Sequence, residues 1–160
     1  MKLGIISLLM LFVTDYELSR IRQAYVEAAV SETAALEFYS ELQAIDNSRS
    51  GTFMAYKAAS VVLLAKYEGN IIKKTRLFNR GTSLLESAVK QFPNNYEARL
   101  IRLNIQDNVP WITGYTSDIE KDKEFLLQHF RKQSADLRLF AKSYILRSDA
   151  FSDEEKRSLD

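Results

Sequence analysis

Arg99, Arg102 and Gln106 recur at i, i+3 and i+7, which sets two guanidiniums and a carboxamide along one edge of any helix that carries them. A guanidinium fork holds a carboxylate through two parallel hydrogen bonds, so this edge suits a peptide terminus or an acidic side chain. Tyr96 and Trp111 flank the same edge within the stretch Gln91 to Tyr115 and add aromatic surface to such a wall. These five residues are the expected partner-binding set. The same chemistry has an internal use, because the arginines can pair with Glu68, Glu86, Asp107 or Asp118 and lock layers of the fold together. Both uses stand on the sequence.

Other chemistry is sparse. The chain has a single histidine, His129, and no cysteine, so no second ligand of either type exists to share a metal with it. Its 5 glycines are scattered and form no phosphate loop. Neither an HExxH pair nor a serine in a nucleophile elbow occurs. Asp118 and Asp122 sit at i and i+4 near a helix start, where carboxylates serve capping and solvation. Lys57 interrupts an apolar helix together with Ser60, and its long stem can carry the ammonium to solvent. Lys73, Arg76 and Arg80 share one face, which reads as a solvated surface and leaves an anionic partner open. The expectation is a non-enzymatic protein with no cofactor and no metal. An alternative of another class is a small carrier or enzyme whose cavity, lined by Tyr56, Tyr67, Phe78 and Trp111, holds an apolar or aromatic ligand.

The elements that must position these residues are helices. Pro93 and Pro110, the only prolines, cannot sit inside a helix and bound one between them, about Tyr96 to Asp107, with Asn94 or Asn95 as its cap. Projected as a helix, that segment has two apolar stripes, Tyr96, Leu100 and Leu103 opposite Ala98, Ile101 and Ile105. A surface helix has one, so this one is expected to lie between neighbours on both sides. Before it, amphipathic periodicity predicts helices over Tyr16–Val30 and from Ser31 through Ile45, then a loop at 46–51. A nearly all-apolar helix follows over Thr52–Tyr67, stopped by Glu68-Gly69-Asn70, and another runs from Ile72 to Gln91 with Gly81 where a partner backbone comes close. After it, Ser117 is expected to cap a helix containing Ile119, Phe125 or Leu126, and Phe130. A last helix covers Ser134–Arg147.

The composition agrees: 160 residues with only 5 Gly and 2 Pro hold too few chain breakers for a sandwich or barrel, and the class is all-α. Lys plus Arg at 22 against Asp plus Glu at 21, a net charge of +1, is unlike a nucleic-acid binder. Lys2 followed by the apolar run 4–13 has the pattern of an export signal and is too short for a membrane span. The organisation expected is a leader over 1–14, a single helical domain over 15–148, and a charged tail over 149–160 that frays. The address expected is exported, periplasmic or envelope-associated, with a cytoplasmic one as alternative. Peripheral membrane contact through residues 1–13 goes with the first.

Counting back from Pro93, Ala88, Leu85, Gly81 and Gly69 fall where the tetratricopeptide repeat places the small residues and leucine of its paired helices, and residues 62–95 resemble one such repeat. That resemblance implies antiparallel helical hairpins stacked as a short tetratricopeptide-like array or an irregular bundle, presenting a groove to a peptide or protein partner. The order of AYKAA (55–59), AKY (65–67), LLESAVKQFPNNYEARLIRLNIQDNVPWITGY (84–115) and DIEKDKEFLL (118–127) is similar to a group of small exported helical proteins of Bacteroidetes-type bacteria. It implies an envelope location and no catalytic residue.

Overall fold

The computed structural model describes residues 17–44 and 50–159. Among them every regular element is a helix and no strand occurs. Residues 17–28 form α1. They are followed by α2 (Glu32–Ala44), α3 (Gly51–Tyr67), α4 (Ile71–Gln91), α5 (Tyr96–Asn108), α6 (Ile119–His129), α7 (Ala135–Ile145) and α8 (Asp153–Arg157), with single 3-10 turns at Trp111–Thr113 and Phe130–Lys132. The expected leader at 1–14, with its membrane contact at 1–13, and the loop residues 46–49 lie outside the described residues.

Polar caps set the helix starts. Asn95 Oδ1 accepts from the Ala98 amide at 2.8 Å, and Asn70 Oδ1 from the amides of Ile72 and Lys73, both at 3.1 Å. These bonds satisfy amides that the first turn leaves orphaned. Two local expectations change. Helix α6 is preceded by Asp118 rather than Ser117, with no side-chain cap, because the Asp118 carboxylate is instead within 3.5 Å of Arg102. The stop expected at Glu68-Gly69-Asn70 is made by an extended Glu68 that ends α3, and not by Gly69, which is not left-handed. The tail is also corrected: Ser152 and Glu155 form a capping box on α8, while Phe151 and Leu159 are buried in the core. Apolar anchors on either side of α8 hold it down, so it does not fray.

Paired residues give the sense of packing. Tyr25 meets Phe38 between α1 and α2, Gly81 meets Val62 between α4 and α3, Glu86 meets Arg102 between α4 and α5, and Asp122 meets Arg99 between α6 and α5. Second contacts fix the directions: Arg20 meets Glu41, Gly51 meets Phe92 and Arg102 meets Asp118, while the ends of α1 and α3 meet at Ala28 and Tyr67 and those of α5 and α7 at Asp107 and Tyr144. Helices α1, α3, α5 and α7 therefore run one way, and α2, α4 and α6 the other. The close approach at Gly81 is real: a Cβ there would lie 2.5 Å from Val62 Cγ2 and 2.9 Å from its backbone nitrogen. Larger residues are excluded by backbone, not by a mobile side-chain tip.

Helix α5 is the shared wall of two cores. Ala98, Ile101 and Ile105 join residues of α1 to α4, including Ile21, Phe38, Tyr56 and Leu85, whereas Tyr96, Leu100 and Leu103 join Leu126, Phe130, Ala141 and Ile145 of the later helices. The two stripes read from the sequence thus face two separate apolar clusters. Alternation of direction also divides the molecule into two poles. The connections α1–α2, α3–α4 and α5–α6 share one pole. Contacts tie the first two together, with Lys66 Nζ donating to Ala29 O at 2.5 Å and Tyr67 to Ala28 O at 3.1 Å, and Tyr115 after α5 packs edge-on against Phe78 of α4 at 6.1 Å.

Candidate functional site

The arginine edge of α5 is interior. Arg99 donates from Nη1 to Asp122 Oδ1 at 2.7 Å and from Nε to Pro93 O at 2.7 Å, and its guanidinium lies 4.4 Å from the centre of the Phe125 ring. Arg102 grips Asp122 with Nε at 2.6 Å and Nη2 at 2.8 Å, and gives Nη1 to Glu86 at 2.7 Å. The other Glu86 oxygen accepts from the Tyr115 hydroxyl at 2.5 Å. Burial opposes the charge on Arg102, but the bonds and charges of Asp122 and Glu86 outweigh it, so its pKa is raised. Burial, reinforced by Glu86, also pushes the Tyr115 hydroxyl up. Every nitrogen of the Arg102 fork is engaged and the side chain is 5% exposed, so the fork is not presented to a peptide carboxylate.

Expected as a solvated residue, Asp122 is 0% exposed. The sequence signal for this was present: Ile119, Asp122, Leu126 and Phe130 fall on one helical stripe, and a carboxylate within an apolar stripe requires a buried cation. A second centre lies across α5 and was not anticipated. Arg22 of α1 clasps Glu97 with Nε at 2.7 Å and Nη2 at 2.9 Å, Tyr56 of α3 donates to the same carboxylate at 2.6 Å, and Arg22 also pairs with Asp136 of α7. Burial, then the neighbouring Glu97 charge, raises the Tyr56 pKa. Arg22 is opposed by burial, yet the Glu97 bonds and charge leave it raised.

The remaining members of the expected set separate. Tyr96 is buried in the second core with its hydroxyl unpartnered. Gln106 is 1% exposed, and neither its side-chain oxygen nor its nitrogen has a partner. Trp111 alone reaches solvent, at 84% exposure. The five residues therefore do not form one accessible wall, because α5 is covered on both sides by the helices that supply Glu86, Asp122 and the second core. The four aromatics of the cavity alternative are not brought together either. Tyr56 is wrapped by Tyr25 and Phe38, Tyr67 bonds to Ala28, Phe78 pairs with Tyr115, and Trp111 points outward. His129 stacks on Phe125 at 4.2 Å with its Nδ1 at 2.9 Å from the Phe125 carbonyl. Among the described residues no group of His, Asp and Glu is placed to hold a metal, and no helix is long and apolar enough to cross a membrane.

The accessible feature is the pole that carries the α1–α2, α3–α4 and α5–α6 connections. Val30, Ile71, Ile72, Trp111 and Ile112 stand there with exposures between 68% and 84%. In the described connections of the opposite pole no large apolar side chain is exposed. Pro110 ends α5 and a 3-10 turn closed by left-handed Gly114 (φ 66°) carries Trp111 and Ile112 outward. Beside Ile71 and Ile72, an open hollow of about 510 Å³ is lined also by Thr75, Arg76 and Asn79. Lys73, Lys74, Arg76 and Arg80 continue down α4, and none of them pairs with an acid among the described residues. No protein-family model matches this chain, and neither a curated protein nor a solved structure does.

Proposed function

We propose that this chain is a non-catalytic helical interaction module that docks through its apolar pole, using Trp111, Ile112, Ile71, Ile72 and Val30. The observation that carries this reading is that the highly exposed, large apolar side chains fall on three connections that the helix directions place toward one end of the molecule. Single exposed hydrophobics need no explanation, whereas a group of them on one face marks an interaction surface. Of the partner residues expected from sequence, Trp111 keeps that role. Arg99 and Arg102 act instead as an interior lock that fixes α5 against α4 and α6, and a fixed α5 holds the Pro110–Gly114 turn in place. Stacked hairpins of tetratricopeptide type are the scaffold in this proposal, and an envelope address, argued from Lys2 and the run 4–13, belongs to it.

Site-specific photocrosslinking in host cells tests the docking surface. A benzophenone side chain at position 111 or 72 of the full chain is expected to give adducts on illumination. The same group at Leu139, exposed midway along α7, is expected to give almost none. Equal yields at positions 111 and 139, or no adduct at 111 and 72, would overturn the reading.

A further inference from the structure

We infer that the occupant of the apolar pole is the surface of an anionic lipid bilayer; the inference rests on the docking reading above and names its partner. Three features favour lipid. First, the apolar side chains are protruding tips on separate turns. Val30 lies between α1 and α2, Ile71 and Ile72 open α4, and Trp111 and Ile112 follow α5. A protein interface needs a patch packed as closely as an interior, with lysine depleted from its centre. A bilayer accepts projecting side chains without a matching shape.

Second, the apolar pair Ile71-Ile72 is followed at once by Lys73, Lys74 and Arg76, with Arg80 one turn further. Cations set just behind apolar tips are the order of charge and hydrophobicity that an interfacial helix presents to headgroups, and their long stems let the charge stay at headgroup level while the tips enter. The acids in the adjoining turns, Glu27, Glu32 and Glu68, are fewer than the four cations of α4, and two of them already accept hydrogen bonds, Glu68 from the Asn70 amide at 2.8 Å and Glu27 from Gln23 at 2.9 Å. With a net charge of only +1 over the chain, attraction to anionic lipid has to come from this local cluster. Third, the most exposed of the large apolar side chains among the described residues is Trp111. An indole, apolar in body with one N–H donor, settles at the boundary between headgroups and acyl chains.

The lipid surface would meet the molecule at the pole away from residue 17, since α1 runs toward the α1–α2 connection. Emission from Trp111 therefore reports contact at this pole.

Trp111 is the only tryptophan, so emission from the full-length chain reads this pole directly. Titration with phosphatidylcholine vesicles containing phosphatidylglycerol is expected to shift the emission to the blue, and acyl-brominated lipid to quench it. Vesicles of phosphatidylcholine alone are expected to do neither. Lys73→Gln with Arg76→Gln should weaken the partition about 30-fold, at roughly 1 kcal/mol for each cation near the surface, and added salt should weaken the wild type in the same sense. Circular dichroism of the double variant checks that it is folded. Four results would overturn the inference: no shift with anionic vesicles, equal shifts with both lipids, cosedimentation with unchanged emission, or a shift in buffer that grows with protein concentration. The third assigns attachment to the run 4–13, and the fourth assigns the pole to a second copy of the chain. Photocrosslinks from position 111 to protein alone would leave the docking reading intact and remove the lipid.

Discussion

On one side of α5 a single carboxylate, Glu97, receives Arg22 and the Tyr56 hydroxyl; on the other, two guanidiniums, Arg99 and Arg102, converge on Asp122. Both centres are buried and both use paired hydrogen bonds, yet they differ in reach. The Asp122 bonds join residues 20 and 23 apart in sequence, so that centre closes one hairpin. The Arg22–Glu97 bond spans 75 residues and ties the first described helix to the middle of the fold. At one centre Asp122, with Glu86 on the outer side of Arg102, faces two buried cations; at the other Glu97, with Asp136 on the outer side, faces one. Buried ion pairs contribute little against an apolar replacement of the whole set, but losing one member strands the rest in a medium that cannot solvate them.

That asymmetry can be broken in graded steps. Asp122→Ala strands Arg99 and Arg102 together, and should cost about 3–5 kcal/mol, read as a lower midpoint in urea with an unchanged slope. A loss under about 1 kcal/mol would mean that Glu86, Asp118 and the Phe125 ring suffice for the arginines. Arg22→Ala should come next, near the lower end at about 3 kcal/mol, because Glu97 retains its bond from Tyr56. If Arg22→Ala proves costlier than Asp122→Ala, the long-range centre is the principal lock and the ranking is reversed.

Tyr56→Phe removes one hydrogen bond to a charged acceptor and should cost about 2 kcal/mol. It also sharpens a pH test. Burial raises the folded-state pKa values of Tyr25, Tyr56, Tyr96, Tyr115 and Tyr144 above the ordinary value of 10.0. A group whose folded pKa is raised contributes fully below its unfolded pKa, and its contribution is lost as pH climbs toward the folded value. Stability should accordingly be level to about pH 10 and fall above it, as the unfolded chain ionises first. Denaturation midpoints against pH should fall less steeply for Tyr56→Phe.

Smaller still is Asp136→Ala, within about 1 kcal/mol, since this half-exposed acid is the solvated end of the Arg22 chain. Smallest is Trp111→Ser, expected within about 0.5 kcal/mol of wild type because the indole touches so little of the fold. A large loss of stability from Trp111→Ser would move that residue from a docking surface into the architecture.

Much of the helix layout is legible because its signals are local. Pro93 and Pro110 cannot donate a backbone hydrogen bond, Asn95 caps through its own side chain, and the stripes of α5 follow from helical pitch alone. The charge pairing was less legible. Asp122 carried a clue in its place between Ile119 and Leu126, yet its spacing from Asp118 equally fits a solvated helix start. Arg22 carried none, since its acceptor comes from a distant part of the chain. The tail misled for a related reason: its charges dominate its composition, while Phe151 and Leu159, two apolar residues, decide that α8 docks.

By itself, then, the sequence determined an all-α chain with a doubly striped central helix between two prolines, because pitch, caps and ring constraints act over a few residues. Tertiary structure alone decided that the arginines of that helix point into carboxylates rather than outward, because burial depends on what the neighbouring helices bring. It decided as well that Val30, Ile71 and Trp111, far apart in the chain, share one pole, because that follows from the alternating direction of packed helices and from no local pattern.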